Sequence, residues 1–152
     1  MNKPTVTVCI VTCNQRAFIG QCLRSVLEQQ ADAELRILVG DDASDDGTSE
    51  IMARLAAEHP GIVTHLRRPA RSGAFVNMRD LIARAVGDFI ARTDGDDYWL
   101  PGKLQRQLDY LRANPDCAAV YTNAVAVDED GNRIGLCNDV GDARFDLAAI
   151  SL

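Results

Sequence analysis

No stretch of this chain approaches the roughly 20 consecutive apolar residues that a membrane-spanning helix needs. The opening Met1-Asn2-Lys3-Pro4 runs straight into strand-like sequence with no small-residue cleavage site, so no signal peptide is expected. Positive charge is short as well: 16 Lys and Arg stand against 22 Asp and Glu, a net charge of −6. That balance excludes broad nucleic-acid binding, which needs a basic face. It leaves room for a phosphate ligand, because a bound cation reverses the local sign. The five cysteines, Cys9, Cys13, Cys22, Cys117 and Cys137, form no CxxC pair, and the two histidines, His59 and His65, lie far from any cysteine cluster. A zinc site is therefore not expected. The odd, scattered thiols, with Cys9 and Cys22 at apolar positions, are expected to be reduced and buried in a cytosolic protein. Repeats and low-complexity segments are absent.

What remains is an ordinary globular composition. Of 152 residues, 47% are hydrophobic and 25% charged, enough for one domain with its own core. Strand-like and helix-like segments alternate. Residues 5–11 are rich in β-branched side chains and read as a first strand. Ile19, Cys22, Leu23, Val26 and Leu27 recur at helical spacing within a helix expected over residues 17–29. A second strand is expected at 35–39, then a polar loop whose Asp45 or Asp46 caps a helix carrying Ile51, Met52, Leu55 and Ala56 inward. A short strand at 62–66 leads to the basic loop Arg67-Arg68-Pro69-Ala70-Arg71-Ser72-Gly73. The next helix is expected to bury Phe75, Met78, Ile82 and Ala85. A buried fourth strand at 88–93 runs into an acidic segment, and Pro101 opens a helix with Leu104, Leu108 and Leu111 inward. Residues 117–127 read as another strand and 128–132 as a turn. The pattern then weakens, and residues 142–152 read as the start of something longer.

Such alternation predicts an α/β fold with a mostly parallel sheet flanked by helices. Ligands of these sheets sit at the carboxyl ends of the strands. Two of those ends are acidic. Asp94, Asp96 and Asp97 crowd three carboxylates into four positions around Gly95, a repulsion that a hard divalent cation relieves. Magnesium or manganese there would bridge one or two carboxylates to a diphosphate. The competing reading is an acidic turn with Asp97 as a helix cap. Asp41 and Asp42 end the second strand, where a carboxylate can accept the imide N–H of uracil or thymine; the alternative is a loop of capping residues. Of the three arginines, Arg71 is the choice for a phosphate or sugar contact, and the other two are read as a solvated face. Trp99 is read either as a sugar-pocket wall or as a packing anchor.

Together these segments resemble the family 2 glycosyltransferases of GT-A (Rossmann-like) fold, over about residues 4–125. The matching pieces run in order. They are Thr12-Cys13-Asn14; Ser25-Val26-Leu27-Glu28-Gln29; Asp41-Asp42-Ala43-Ser44-Asp45-Asp46-Gly47-Thr48; and Thr93-Asp94-Gly95-Asp96-Asp97-Tyr98-Trp99-Leu100-Pro101. The resemblance implies a nucleotide-diphospho-sugar donor of UDP or dTDP type and Mn2+ or Mg2+. It also implies transfer, often inverting, to a glycan or lipid-linked acceptor in cell-surface polysaccharide synthesis. By the same carry-over Thr12 and Asp41 meet the base, with Asn14 and Asp42 beside them. Asp96 and Asp97 meet ribose, diphosphate and metal, Asp94 joins that cluster, and Asn77 lies on the donor side. Cys13 stands where the family often has an aromatic residue beside the base. Relatives usually continue into a segment that supplies the catalytic base and acceptor site. The chain is therefore expected to be truncated at its C-terminus, to hold the donor half over residues 1–152, and to offer no assignable catalytic base among Asp128, Glu129, Asp130, Asp139, Asp142 and Asp146. The expected location is the cytoplasm, including the inner membrane face. The alternatives are a non-catalytic sugar-nucleotide-binding module and a nucleotidyltransferase. The latter would want a glycine in the loop Thr12-Cys13-Asn14-Gln15-Arg16. A dehalogenase-type phosphatase would carry its Asp-Xaa-Asp after the first strand, and a nicotinamide dehydrogenase would show GxGxxG.

Overall fold

The computed structural model describes residues 3–137. It divides into two compact units between Leu108 and Asp109. In the first unit, strands β1 (Thr5–Thr12), β2 (Glu34–Asp41), β3 (Val63–Arg67) and β4 (Phe89–Asp94) form a parallel sheet in the order β3-β2-β1-β4. Between them run helices α1 (Ile19–Leu27), α2 (Thr48–Glu58) and α3 (Ala74–Ile82), and α4 (Lys103–Ala113) follows β4.

The strand period of two divides β1 between two cores. Val6, Val8 and Ile10 join Ile37 and Val39 of β2 and pack on Ile19, Cys22, Leu23 and Val26 of α1, Met52 and Leu55 of α2, and Leu104 and Leu108. The opposite face carries Cys9 and Val11 against Met78 and Leu81 of α3. Each of the buried Val, Leu and Ile side chains contributes about 1.5–3 kcal/mol relative to exposure. With both faces of β1 covered, its sequence is a near-continuous apolar run rather than an alternation.

Several expectations shift. Helix α1 is shorter than residues 17–29, because Phe18 and Ile19 both donate to the Gln15 carbonyl in a tight turn that delays the helix. Helix α3 turns a different face inward: Asn77, Met78 and Leu81 are buried, while Phe75 is 81% exposed and Ile82 45%. Apolar residues lie on both flanks of that helix, so composition alone does not fix its phase. Strand β4 is an edge of the described sheet and its Ile90 is 50% exposed, so it is less buried than its apolar run suggests. Helix α2 starts after Gly47, which is left-handed at φ 100°, and no side chain caps it at that residue. Asp46 still serves the helix start, since its Oδ1 accepts from the N–H and the hydroxyl of Thr48 (2.9 and 2.6 Å).

The second unit holds a hairpin of β5 (Ala124–Val127) and β6 (Arg133–Cys137), antiparallel with an irregularity at Ala126/Val127. The strand expected over 117–127 is thus confined to its last four residues. The turn expected at 128–132 is present: the Asp128 carboxylate accepts from the backbone N–H of Asp130 and Asn132 (3.0 and 2.8 Å). Asp139, Asp142, Asp146 and the segment 142–152 lie outside the described residues.

Candidate functional site

The parallel register brings three strand ends to one place. Thr12 is level with Asp41, and Val11 is level with Asp94. The ladders continue one step past the strands, with Asp42 N–H donating to Thr12 O (2.9 Å) and Gly95 N–H to Val11 O (2.8 Å). The Asp41/Asp42 loop and the acidic loop therefore flank Thr12 on either side.

Asp41 is fully buried. Its Oδ1 accepts from the Ser44 N–H at 2.9 Å, and its Oδ2 accepts from the Ser49 hydroxyl. His65 Nε2 lies 3.3 Å from the same Oδ2, and Arg67 Nε is 3.9 Å away. Arg67 closes the cluster by donating to Ser49 Oγ (2.9 Å) and the Ser44 carbonyl (3.0 Å). Burial pushes the Asp41 carboxyl up, but the hydrogen bonds from Ser44, Ser49 and His65 outweigh it and hold the group below the usual range.

Asp42 ties the neighbouring loop. Its Oδ1 accepts from Ser72 N–H and Oγ (2.8 and 2.9 Å) and its Oδ2 from Gly73 N–H (2.8 Å), at the start of α3. Here too burial raises the pKa and is overridden, chiefly by those backbone N–H groups, so the net shift is downward. Arg68 lies 3.8 Å from Asp42 and 2.6 Å from Asp80. The reading of two arginines as a solvated face is therefore corrected for Arg68, while Arg67 stays half-exposed though its guanidinium bonds the Asp41 cluster; β3 ends level with Asp41 and delivers both there. Arg71 is half-exposed, with one 3.4 Å contact to Asp45.

Asn14 is one of two non-glycine residues with positive φ among the described residues, at 53°. Its side-chain N–H donates to Asp45 (2.8 Å) while its Oδ1 accepts from the Asp45 N–H (3.0 Å), a reciprocal lock between two loops. The Thr12 hydroxyl bonds Gln15 Oε1 at 2.9 Å. Asn77 is buried and donates to the Gly40 carbonyl at 2.8 Å. A side chain at position 40 would collide with that amide, so Gly40 and Asn77 fit as a pair.

The acidic loop differs. Asp96 and Asp97 are exposed and Asp94 half-buried, and no hydrogen bond or ion pair from a described side chain meets their carboxylates. Burial, then the charges of Asp96 and Asp94, push the Asp97 carboxyl up. Burial, followed by the same three carboxylates, drives the Cys22 thiol up to about 12. Hard oxygen donors that repel one another suit a hard divalent cation. Among the described residues no three groups converge as a ready-made cage. Trp99 is buried in the core with Lys103 Nζ 4.2 Å from its ring centre, which makes it a packing anchor. Sequence reasoning misses His65, Ser49 and Arg67 as partners of Asp41. The signal is the parity of His65 and Arg67 with Val39 and Asp41, which becomes legible only once the β2–β3 register is known.

Comparison with known proteins follows the same outline. A mannosyltransferase from Pyrobaculum calidifontis, solved in complex with GDP-Man and Mn2+, superposes with TM-score 0.65 at 28% identity, covering 83% of this chain and 36% of that one. The fold is thus of GT-A type. The family model for "Glycosyl transferase family 2" matches residues 7–140, and the chain belongs to that family. It is 29% identical over 127 residues to an uncharacterized protein of Mycobacterium tuberculosis, Rv1520, covering 83% of this chain and 37% of the relative. It is 30% identical over 131 residues to a chondroitin synthase of Escherichia coli, covering 86% and 19% respectively. The chain therefore spans well under half the length of these relatives.

Proposed function

We propose that this chain carries the donor site of a metal-dependent glycosyltransferase that uses a nucleotide-diphospho-sugar. The observation that carries the reading is the shared level of Thr12, Asp41 and the acidic loop at the carboxyl edge of β1, β2 and β4. Family membership and the neighbour bound to GDP-Man and Mn2+ support it. Thr12 and Asp41, with Asn14 and Asp42 beside them, contact the base, and the donors around Asp41 and Asp42 fix both carboxylates at this edge. Asp96 and Asp97 hold Mn2+ or Mg2+ and, with Asp94, the ribose and diphosphate. The bound ion supplies the positive charge that stabilises the departing diphosphate. Arg71 and the Asn77 end of α3 face the sugar-phosphate side.

The base is uracil or thymine in this reading, and the acceptor is a glycan or a lipid-linked glycan, with inversion at the anomeric carbon. A cytoplasmic enzyme working at the inner membrane face fits such an acceptor. Among the described residues no helix is long and apolar enough to cross a membrane. No general base is assigned.

Calorimetric titration of UDP, dTDP and GDP with and without Mn2+ tests the proposal, on wild type and on Asp96→Ala/Asp97→Ala. Manganese-dependent binding that the double variant loses is the expected result. The absence of nucleotide binding in every condition sinks it. Tight binding with neither sugar transfer nor donor hydrolysis would favour a non-catalytic module instead.

A further inference from the structure

Among the described residues no side chain bonds the carboxylates of the acidic loop, yet its backbone is held, and one edge of α1 with Gln29 beyond it does the holding. The Cys22 thiol donates to the Asp94 carbonyl at 3.4 Å. The Trp99 N–H donates to Ser25 Oγ at 2.9 Å, while that hydroxyl donates to the Cys22 carbonyl at 2.7 Å. Gln29, just past the helix end, uses both ends of its amide. Its Nε2 donates to the Leu100 carbonyl (3.1 Å) and the Ser25 carbonyl (3.1 Å), and its Oε1 accepts from the Leu104 N–H (3.1 Å). Cys22 and Ser25 are three apart and Gln29 follows at four, so all three share one helical edge. Their partners fall on both sides of Asp96 and Asp97: Asp94 before them, and Trp99, Leu100 and Leu104 after. The span between these anchors carries the two carboxylates.

We infer that Ser25 and Gln29 are positioning residues for metal binding, a clamp that presents Asp96 and Asp97 in one arrangement although they repel each other. The inference rests on the proposed donor site. Mutually repelling carboxylates left to a free loop would splay apart, and drawing them back together on binding would spend part of the metal's binding energy. A loop fixed at both ends has met that cost during folding. A hydroxyl and a carboxamide suit the task because neither adds charge near the carboxylates. Gln29 also satisfies an acceptor and a donor on two different backbone segments at once. Ser25 and Gln29 are the uncharged polar members of the segment Ser25-Val26-Leu27-Glu28-Gln29, whose Val26 is fully buried in the core. The segment thus docks α1 on the sheet with one edge and grips the loop with another.

The test uses the full chain and two probes, UDP and Mn2+. Calorimetry gives UDP affinity with and without Mn2+, and amide NMR follows manganese broadening of residues 95–98. The variants are Ser25→Ala/Gln29→Ala and Gln29→Glu, which keeps the acceptor for Leu104 but loses the donor to Leu100. Glu28→Ala is the control. The expected result is a Mn2+–UDP affinity roughly ten- to a hundredfold weaker in the double variant, the range for loss of groups that orient metal ligands. Metal-free UDP affinity and the amide shifts of β1 and β2 should be unchanged, and Gln29→Glu should fall between. Double-variant binding of Mn2+–UDP equal to wild type overturns the clamp and leaves the donor site standing. Parallel loss of metal-free affinity and core shifts also overturns it, because the residues then serve the fold at large. A wild type whose UDP affinity ignores Mn2+ removes the donor-site reading and the clamp with it.

Discussion

Gly95→Ala is the most informative single change at this site. Gly95 does not need its glycine for backbone freedom, since it is not among the positive-φ residues. It needs it for space. A Cβ at this position would lie 2.9 Å from Thr12 Cβ, 2.9 Å from Thr12 Oγ1 and 2.5 Å from Gln15 Oε1. The Gln15 amide is the end of a flexible side chain and can swing away. Thr12 Cβ is fixed to the end of β1, so the loop must move instead, by several tenths of an ångström. Overpacking of this kind costs about 1–3 kcal/mol. For a chain of this size that lowers Tm by roughly 2–12 °C. The functional loss should be larger than the stability loss, because the displaced segment carries Asp96 and Asp97. Thermal melts and Mn2+–UDP calorimetry on Gly95→Ala, Gln15→Ala and the double variant separate the two contacts. Gln15→Ala added to Gly95→Ala should restore only part of the stability, since the Thr12 contact remains. A Gly95→Ala protein that melts and binds like wild type would refute the claim that the acidic loop is seated on Thr12.

Four further outcomes are expected. Ala43 is held at φ 56°, which costs an L-residue roughly 1–2 kcal/mol; set against the extra unfolded-state freedom of glycine, Ala43→Gly should stabilise by about 0.5–1 kcal/mol in urea unfolding. Gly40→Ala should destabilise by about 1–3 kcal/mol because its Cβ meets the Asn77 amide, and Asn77→Ala in the same chain should recover part of the loss on melting. Asp41 and Asp42 have folded pKa values below their unfolded ones, so the stability they add is fully present above the ordinary aspartate value of about 3.9 and is lost as pH falls through the lower folded values. Acid unfolding below about pH 4 should therefore be blunted in Asp42→Asn, which chemical denaturation from pH 6 to pH 2.5 would check. Asp97 is shifted the other way, so Asp97→Asn should raise the metal-free Tm while abolishing the manganese-dependent gain in UDP affinity, a trade between stability and binding.

Much of this architecture is legible in the order of the amino acids. The β-branched run at residues 5–11, the helical spacing of Ile19, Cys22, Leu23 and Val26, and the alternation of elements point to the parallel sheet, and family membership bears out that reading. Local pattern fails where two faces of an element are similarly apolar. Phe75 and Ile82 look like core positions, but the close approach of α3 to β2 at Gly40 puts Asn77 inward instead. Counting along the sequence places the acidic pairs at strand ends. It does not distinguish a carboxylate fully enclosed by Ser44, Ser49 and His65 from one facing outward at Asp97. That distinction depends on which β3 residue lies opposite Val39, a matter of register between strands more than twenty residues apart in sequence.

The strand order also has a consequence for how the chain acquires its shape. β1, β2 and β3 are contiguous in sequence and pair in succession, whereas β4 must return across the unit to reach the free side of β1. A ribosome delivers the N-terminal part first. The half of the site containing Thr12, Asp41 and Asp42 can thus assemble while the half containing Asp94 is still untranslated, leaving the other edge of β1 unpaired. Unpaired edges of apolar strands recruit other chains, and long-range parallel pairing closes slowly. Pulse-labelled hydrogen exchange during refolding should protect β1 through β3 before β4, and simultaneous protection of all four would contradict this order. The strand that joins the described sheet last is also the one that delivers the three repelling carboxylates, so its pairing with β1 brings the two halves of the proposed site together.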